Sequence, residues 1–191
     1  MNIEISEVAN LPSRFGNFKV KAFKEAYSGG YKEHLVIYKE VLEKIPVVRV
    51  HSECLTGDAI GSLKCDCRDQ LEYALALAEK TNGMVIYLRQ EGRNIGLLNK
   101  INAYALQDKG LNTIEANHQL GFEADERTYE MVTHILKHFN INKIKLLTNN
   151  PHKISSIDDI EIVERVPIIM DSNEHNAEYL DIKKDEMGHL F

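Results

Sequence analysis

The sequence predicts an α/β fold: a mixed sheet with helices on both faces and an antiparallel N-terminal portion. Two observations support it. Short apolar patterns typical of strands fill residues 1–50, and strand and helix patterns alternate from about residue 47 to 166. At 191 residues the chain suits one domain, so we expect residues 1–191 to form a single unit.

The N-terminal strands are predicted from three short patterns. These patterns cover residues 4–8, 16–23 and 34–38, with turn signals at 12–13 and 28–30. In the second pattern Phe18, Val20 and Ala22 alternate with polar residues. This alternation is typical of a sheet that has one face in solvent.

Further strands and helices alternate along the rest of the chain. A nearly continuous apolar run such as 84–88 indicates a strand buried in the centre of the sheet. In order, the predicted elements are a strand at 47–51, a helix from Cys67 to a stop at Asn82-Gly83, a strand at 84–88, a helix at about 95–109, a helix at about 125–139, a strand at 143–148, a helix starting at Asn150-Pro151 and a strand at 161–166. A polar tail follows from Met170.

Composition excludes several classes of protein. The net charge of -6 argues against a general nucleic-acid binder, because binding to phosphate backbones depends on an excess of Lys and Arg. The N-terminus has no basic and apolar leader, and no later run approaches the ~18 apolar residues of a membrane helix. We therefore expect a cytoplasmic protein with no membrane partner.

The cysteines form one candidate metal site. Cys54, Cys65 and Cys67 are the only cysteines, and an odd number in a chain without a leader fits metal ligation or free thiols better than disulfides. Three thiolates would leave the fourth position of a tetrahedral zinc ion to water, as in catalytic sites. The alternative is three free cysteines that pack as small apolar side chains. Nearby His51 is either a further ligand or a group that binds substrate or an orienting carboxylate.

Three loops follow predicted strands and carry cations near helix starts. They contain Arg89 to Arg93, Ala124 to Thr128, and Thr148 to Lys153. Because a helix N-terminus disfavours positive charge, cations in that place indicate a bound anion such as a polyphosphate. Alternatively these cations are solvated surface charges and Asp125 is a plain helix cap. The spacing of Tyr104 places it on the apolar side of its helix, which is typical of a core residue.

Several longer stretches resemble GTP cyclohydrolase II over essentially the whole chain. The stretches that carry the resemblance are Arg49 to Glu53, the three cysteines, 89–100, 104–108, 115–122 and 147–151. The resemblance implies a zinc-dependent hydrolysis of GTP that opens the guanine imidazole ring and releases formate and pyrophosphate. The implied product is 2,5-diamino-6-hydroxy-4-(5-phosphoribosylamino)pyrimidine, formed in the first step of riboflavin biosynthesis.

The resemblance also assigns roles to individual residues. It implies one zinc ion per subunit on Cys54, Cys65 and Cys67, with water as the fourth ligand. It implies GTP contacts at Arg49, Val50, His51, Ser52, Glu53, Gln70, Glu91, Gly92, Arg93, Thr113, Thr148 and Lys153. Catalytic positions fall on Tyr104, on Arg127 as nucleophile at the α-phosphorus, and on Asp125 as its proton acceptor. Mg²⁺ is expected on the polyphosphate, and the family suggests a homodimer.

Two features qualify this interpretation. The family usually has glycine after its Cys-Asp-Cys, and here that residue is Arg68. A guanidinium is a poor nucleophile because its pKa lies above ~12, so chemistry alone favours Arg127 as a phosphate clamp. The alternative functions are a zinc hydrolase of another purine nucleotide, including one that retains the triphosphate, and a nucleotide-binding regulatory protein without turnover.

Overall fold

An eight-stranded mixed sheet organises the structure, a computed structural model that describes residues 2–177, 188 and 190. The strands are β1 Ile3–Ile5, β2 Ala9–Ser13, β3 Gly16–Tyr27, β4 Gly30–Tyr38, β5 Val47–Ser52, β6 Met84–Leu88, β7 Lys143–Leu147 and β8 Glu161–Val166. Their spatial order is β1-β3-β4-β6-β5-β7-β8, and β2 pairs with β3. The predicted α/β class with both parallel and antiparallel strands is confirmed.

Parallel pairing is confined to the second half of the sheet. Strand β5 runs parallel to β6 on one side and to β7 on the other, and β7 runs parallel to β8. The pairs β3 with β4 and β4 with β6 are antiparallel. The carboxyl ends of β5, β6 and β7 therefore meet at one edge, where ligands bind in sheets of this kind.

Six helices accompany the sheet within the described part of the chain. They are α1 Leu55–Asp58, α2 Cys67–Lys80, α3 Gly96–Gln107, α4 Thr113–Gln119, α5 Glu130–His138 and α6 Pro151–Ser155, and a 3₁₀ turn spans Glu91–Asn94. None of these helices has the length and apolar character needed to cross a membrane.

The core lies on both faces of the sheet. Met84, Ile86 and Leu88 of β6 pack into the cluster that includes α5, whereas Val85 packs into the cluster that includes Ala74 of α2. This division follows from the period of two along a strand, which sends successive side chains to opposite faces. A continuous apolar run was therefore the correct signal for a strand covered on both sides.

The N-terminal predictions need correction. The proposed turn at 12–13 lies at the end of β2, which covers Ala9–Ser13 and pairs only with β3, an edge position where proline is tolerated. The predicted strand at 4–8 ends at Ile5. The prediction of one solvated face also fails in part. Phe18 packs on the α2 side, but Phe23 of the same strand is fully buried on the α5 side.

Three further differences concern helices and the tail. Helices α1 and α4 were not predicted, since each is short and lacks an apolar stripe. The helix predicted at 125–139 begins only at Glu130, because Asp125 bonds to the backbone N–H and side chain of Arg127 and holds this segment as a loop. The predicted polar tail beyond residue 177 lies outside the described residues, apart from residues 188 and 190.

Candidate active site

A cavity of about 400 Å³ lies at the edge where the parallel strands end. Its wall is formed by the segments that follow β5, β6 and β7, by the loop that carries Arg127, and by α3 and the start of α4. The three loops in which the sequence placed candidate anion-binding residues therefore contribute to one cavity.

The three cysteine thiols lie together on the cavity wall. Their sulfur atoms are all within 4.8 Å of one another, and Cys54 Sγ is 3.6 Å from Cys65 Sγ. The cluster surrounds Gly57 of α1, where a Cβ atom would lie 2.8 Å from Cys65 Sγ and 3.0 Å from Cys54 Sγ. Glycine is thus the residue that leaves room for the thiols to converge.

Lys100 of α3 contacts the thiol cluster from within the protein. Its Nζ donates to Cys54 Sγ at 3.1 Å and to Glu91 Oε1 at 2.7 Å. Hydrogen bonds with Cys65 and Cys67 and the charge of Lys100 hold the pKa of Cys54 far below its ordinary value. The hydrogen bond with Cys54 raises the pKa of Cys65 to about 11. The charge of Lys100 therefore favours the thiolate form of Cys54.

Glu91 connects this lysine to two backbone segments. Its carboxylate accepts the backbone N–H of Leu55 at 2.6 Å and of Gly92 at 2.8 Å, in addition to the bond from Lys100. Against the lowering effect of burial, Glu91 and Cys54 raise the pKa of Lys100. The segment after Cys54 is thus tied to both the 3₁₀ turn and α3.

Three cations lie on another part of the wall. Arg49 and Lys153 are buried, with 6% and 4% of their surfaces exposed, and Arg127 is partly buried. Lys153 Nζ donates to Val50 O at 2.8 Å, and Arg49 donates to Leu147 O at 3.0 Å. Burial, with the charges of Arg49 and Arg127, lowers the pKa of Lys153 well below its ordinary value. Burial also lowers the pKa of Arg49 to about 10. Such a site favours an anion, because the negative charge of an anion would raise the pKa values of Lys153 and Arg49 again.

The loop after β6 is strained and fixed to the loop before α5. Gly92, Arg93 and Asn94 have φ values of 61°, 58° and 78°. Residues other than glycine rarely adopt this region of backbone conformation. Arg93 Nη1 donates to Ala124 O at 3.0 Å, and Asn94 Nδ2 donates to Glu126 O at 2.9 Å. Strain of this kind persists where the surroundings enforce it, which is common at functional sites.

Tyr104 lies on the cavity wall and not in the core. It is half-buried, and the Nζ atoms of Lys64 and Lys100 lie 4.9 and 5.8 Å from its ring centroid. Burial raises the pKa of its hydroxyl to about 12, so the group is a proton donor at neutral pH. The prediction that Tyr104 lies in the core was wrong, because the apolar side of α3 also faces the cavity.

Most of the residues assigned from the sequence share this wall. The lining residues among them are Arg49, His51, Ser52, Glu53, Cys54, Cys65, Cys67, Gln70, Glu91, Gly92, Arg93, Tyr104, Thr113, Arg127, Thr148 and Lys153. Two do not line it. Val50 packs into the core and offers only its carbonyl oxygen to Lys153, and Asp125 lies behind Arg127. Gln70 lines the cavity but its amide bridges Arg49 and Asp66, both at 2.5 Å.

Two important residues were missed from the sequence. Lys100 lies four residues before Tyr104, so the two share a helix face, and a lysine on that apolar side was the available signal. Asp58 accepts hydrogen bonds from His51, Tyr87 and the backbone of Cys54. His51 and Cys54 lie shortly before Asp58 in the chain, but Tyr87 lies on strand β6, and no local pattern reveals that contact.

Comparisons with known proteins agree on one family. A family model described as GTP cyclohydrolase II matches residues 4–167. A GTP cyclohydrolase-2 from Campylobacter hominis is 67% identical over 190 residues, covering 100% of this chain and 96% of that protein. A GTP cyclohydrolase-2 from Helicobacter pylori is 53% identical over 188 residues, covering 98% of each. A solved two-domain 3,4-dihydroxy-2-butanone 4-phosphate synthase from A. baumannii matches 88% of this chain and 40% of its own at 17% identity. Its TM-score of 0.45 is too low to carry an argument.

Replacing Lys100 tests its contact with the thiols. We expect Lys100→Met to weaken Zn²⁺ binding by about 10- to 100-fold, because it removes a charged donor from a thiolate. Competition with a chromogenic chelator measures the affinity. The matched control is Lys64→Met. Lys64 is the other lysine beside the Tyr104 ring, but it pairs with Asp108. Equal losses in both variants would contradict a specific role for Lys100.

The buried Lys153 predicts a particular pH dependence of anion binding. Only its protonated form attracts phosphate, and its pKa is lowered in the free protein. We therefore expect Lys153→Met to weaken triphosphate binding most at low pH, and the ratio of wild-type to variant affinity to fall towards one as the pH rises through that lowered pKa. Calorimetry with inorganic triphosphate measures this ratio, in which the ligand's own ionisation cancels. A ratio independent of pH would contradict the prediction.

Proposed function

The chain belongs to the GTP cyclohydrolase II family, and we propose that it hydrolyses GTP with zinc, releasing formate and pyrophosphate in the first step of riboflavin biosynthesis. The observation that carries this proposal is the presence of a three-thiol cluster and a buried cation cluster on the wall of one cavity. The first suits a metal ion, and the second suits a polyphosphate.

The thiol cluster fits zinc. A tetrahedral ion with Zn–S distances of about 2.3 Å requires sulfur atoms about 3.8 Å apart, close to the 3.6 Å between Cys54 and Cys65. A zinc ion held there by Cys54, Cys65 and Cys67 would supply an activated water for attack on the purine ring. Arg68, where the family usually has glycine, does not adopt a positive φ, and its side chain pairs with Glu72 at 3.4 Å. The departure therefore leaves the donor set intact.

The cation cluster fits the phosphates of GTP. Arg49, Arg127 and Lys153 contribute positive charge, and Thr148 and Asn150 lie at the start of α6 beside them. Mg²⁺ bound to the polyphosphate would reduce its charge and orient the leaving pyrophosphate. The other assigned residues that line the cavity would complete the contacts with GTP.

Three side chains are proposed to act on the reacting atoms. The Tyr104 hydroxyl, protonated at neutral pH, would donate to the purine ring as charge develops. Arg127 would act at the α-phosphorus. Asp125 receives Arg127 Nε at 2.8 Å and Nη2 at 2.5 Å, so it orients the guanidinium and would accept any proton that these nitrogens lose. Arg127 also lowers the pKa of Asp125 against the effect of burial, so this carboxylate is ionised and pairs with the guanidinium.

An exposed apolar surface supports the proposed homodimer. It consists of Leu55, Ile60, Leu63, Leu97, Leu98 and Ile101, on the α1 segment and the outer face of α3. The bonds from Leu55 N to Glu91 and from Lys64 to Asp108 hold these two segments together. A cluster of large apolar side chains in water is typical of a subunit interface.

A joint assay of both products tests the function. We expect the purified chain with GTP, Mg²⁺ and Zn²⁺ to release formate and pyrophosphate in equal amounts, and a chelator to abolish both. Cys54→Ser should lose formate release because it removes a zinc ligand, yet keep GTP affinity, which equilibrium binding measures. Formate without pyrophosphate would contradict the role of Arg127. Absence of both products with retained GTP binding would indicate a regulatory nucleotide-binding protein.

A charged substitution tests the dimer. We expect Leu98→Glu to convert the dimer into a monomer, because it places a carboxylate within the apolar surface. Sedimentation velocity measures the change. Val41→Glu is the control, because Val41 has nearly the same exposure as Leu98, at 74% and 75%, but lies outside this surface. A monomeric wild-type protein, or an unchanged Leu98→Glu dimer, would contradict the proposal.

A further inference from the structure

Asp58 is not among the assigned site residues, but its carboxylate accepts hydrogen bonds from three groups next to the site. Its side chain is only 7% exposed. Oδ2 accepts the Tyr87 hydroxyl at 2.7 Å and the Cys54 backbone N–H at 3.0 Å, and His51 Nε2 lies 3.1 and 3.2 Å from the two oxygens. Since a carboxylate only accepts hydrogen bonds, each of these partners is a donor.

This arrangement determines where the His51 ring carries its proton. Burial lowers the pKa of His51, so the ring is neutral at neutral pH. A neutral imidazole has one N–H and one lone pair, and with Nε2 as the donor the lone pair is on Nδ1. The ring is held in this orientation by stacking on Tyr87, with centroids 5.4 Å apart and planes inclined by 21°.

Nδ1 is an acceptor without a donor. His51 is 2% exposed and lines the cavity. Within the described part of the chain, Nδ1 has no hydrogen-bond partner. A buried polar atom without a partner is unfavourable, so a ligand that supplies a donor here is bound more tightly. The neighbouring Ser52 Oγ is unpartnered in the same way.

We propose that Asp58 is a positioning residue that fixes His51 as the Nε2–H tautomer, so that Nδ1 accepts a hydrogen bond from an amino or hydroxyl group of the bound nucleotide. The identity of the ligand rests on the proposed function, whereas the tautomer does not. Because Asp58 also binds the backbone N–H of Cys54, one carboxylate positions both a substrate contact and the loop that carries the first thiol.

Asp58→Asn is the decisive substitution because it preserves shape and reverses one hydrogen bond. The amide oxygen of asparagine, placed where Oδ2 lies, still accepts from Tyr87 and Cys54. Its NH₂ group then faces Nε2 of His51, which must accept, and the proton moves to Nδ1. An Asp to Asn change beside a histidine is known to impose the wrong tautomer in this way.

Nitrogen-15 NMR of the zinc-loaded protein reads the tautomer directly, with His51→Gln used to assign the resonance. We expect Nε2–H in the wild type, Nδ1–H in Asp58→Asn, and Nε2–H in Tyr87→Phe, which removes one donor to Asp58 and keeps the stacked ring. A wild-type Nδ1–H tautomer would overturn the proposal, as would an unchanged tautomer in Asp58→Asn. The wild-type measurement stands even where a variant fails to fold.

Equilibrium binding of GTP in chelator, where turnover is absent, tests the ligand contact. We expect Asp58→Asn to lose about 10- to 100-fold in affinity, and Tyr87→Phe to stay within about threefold of the wild type. Inosine triphosphate and the 2′- and 3′-deoxy analogues of GTP distinguish the amino group from the two hydroxyls. The analogue that lacks the donor should bind wild type and Asp58→Asn equally.

Two outcomes of this series would contradict the contact. An unchanged ratio of wild-type to variant affinity for all three analogues would overturn a direct bond from Nδ1 to the nucleotide. Wild-type protein that binds no GTP would overturn the proposed function and the nucleotide contact together, while the tautomer would still be decided by the NMR result.

Discussion

Positive charge buried on the cavity wall is the constraint around which the site is arranged. Lys153 and Arg49 are almost fully buried. Lys153 donates to the Val50 carbonyl oxygen, and Arg49 donates to the Leu147 carbonyl oxygen and the Gln70 amide oxygen. Burial of a charge is expensive, and it lowers the pKa values of both residues although Asp66 and Asp125 act in the opposite direction. A bound anion would offset this cost, which is the physical basis for the proposal that this cavity binds a polyphosphate.

The sheet determines where these charges are held. In β5, Arg49 and His51 point to the side of the cavity, whereas Val48 and Val50 point into the α5 core, as the period of two requires. The same alternation explains why Val50 contributes only a carbonyl oxygen. Arg93 and Lys153, in the segments that follow β6 and β7, reach the cavity because these strands flank β5 in parallel and end at the same edge.

Periodicity recovered the parts of the fold that depend on the chain's own pattern. The buried strands at 84–88 and 143–147, the long helix α2 and the proline-started α6 follow from apolar spacing and helix caps. The strand that contains Pro12 was missed because it has no covered face, and the start of α5 was misplaced because Asp125 bonds to Arg127. The resemblance supplied most cavity residues, but not Lys100, which contacts Cys54 46 residues away, or Asp58, which binds Tyr87 29 residues away in addition to its neighbours His51 and Cys54. Contacts between distant segments leave no local pattern.

One short segment connects the two halves of the chemistry. Residues 49 to 54 carry a cation for the phosphates, the unpartnered acceptor of His51 and the first thiol, over at most about 17 Å of extended chain. Asp58 and Glu91 fix the end of this segment through the N–H groups of Cys54 and Leu55. In the proposed function, a metal ion on Cys54 and a phosphate on Arg49 would therefore have a separation set by a buried strand. A ligand that reaches both would carry its polyanion and its reacting ring at that spacing.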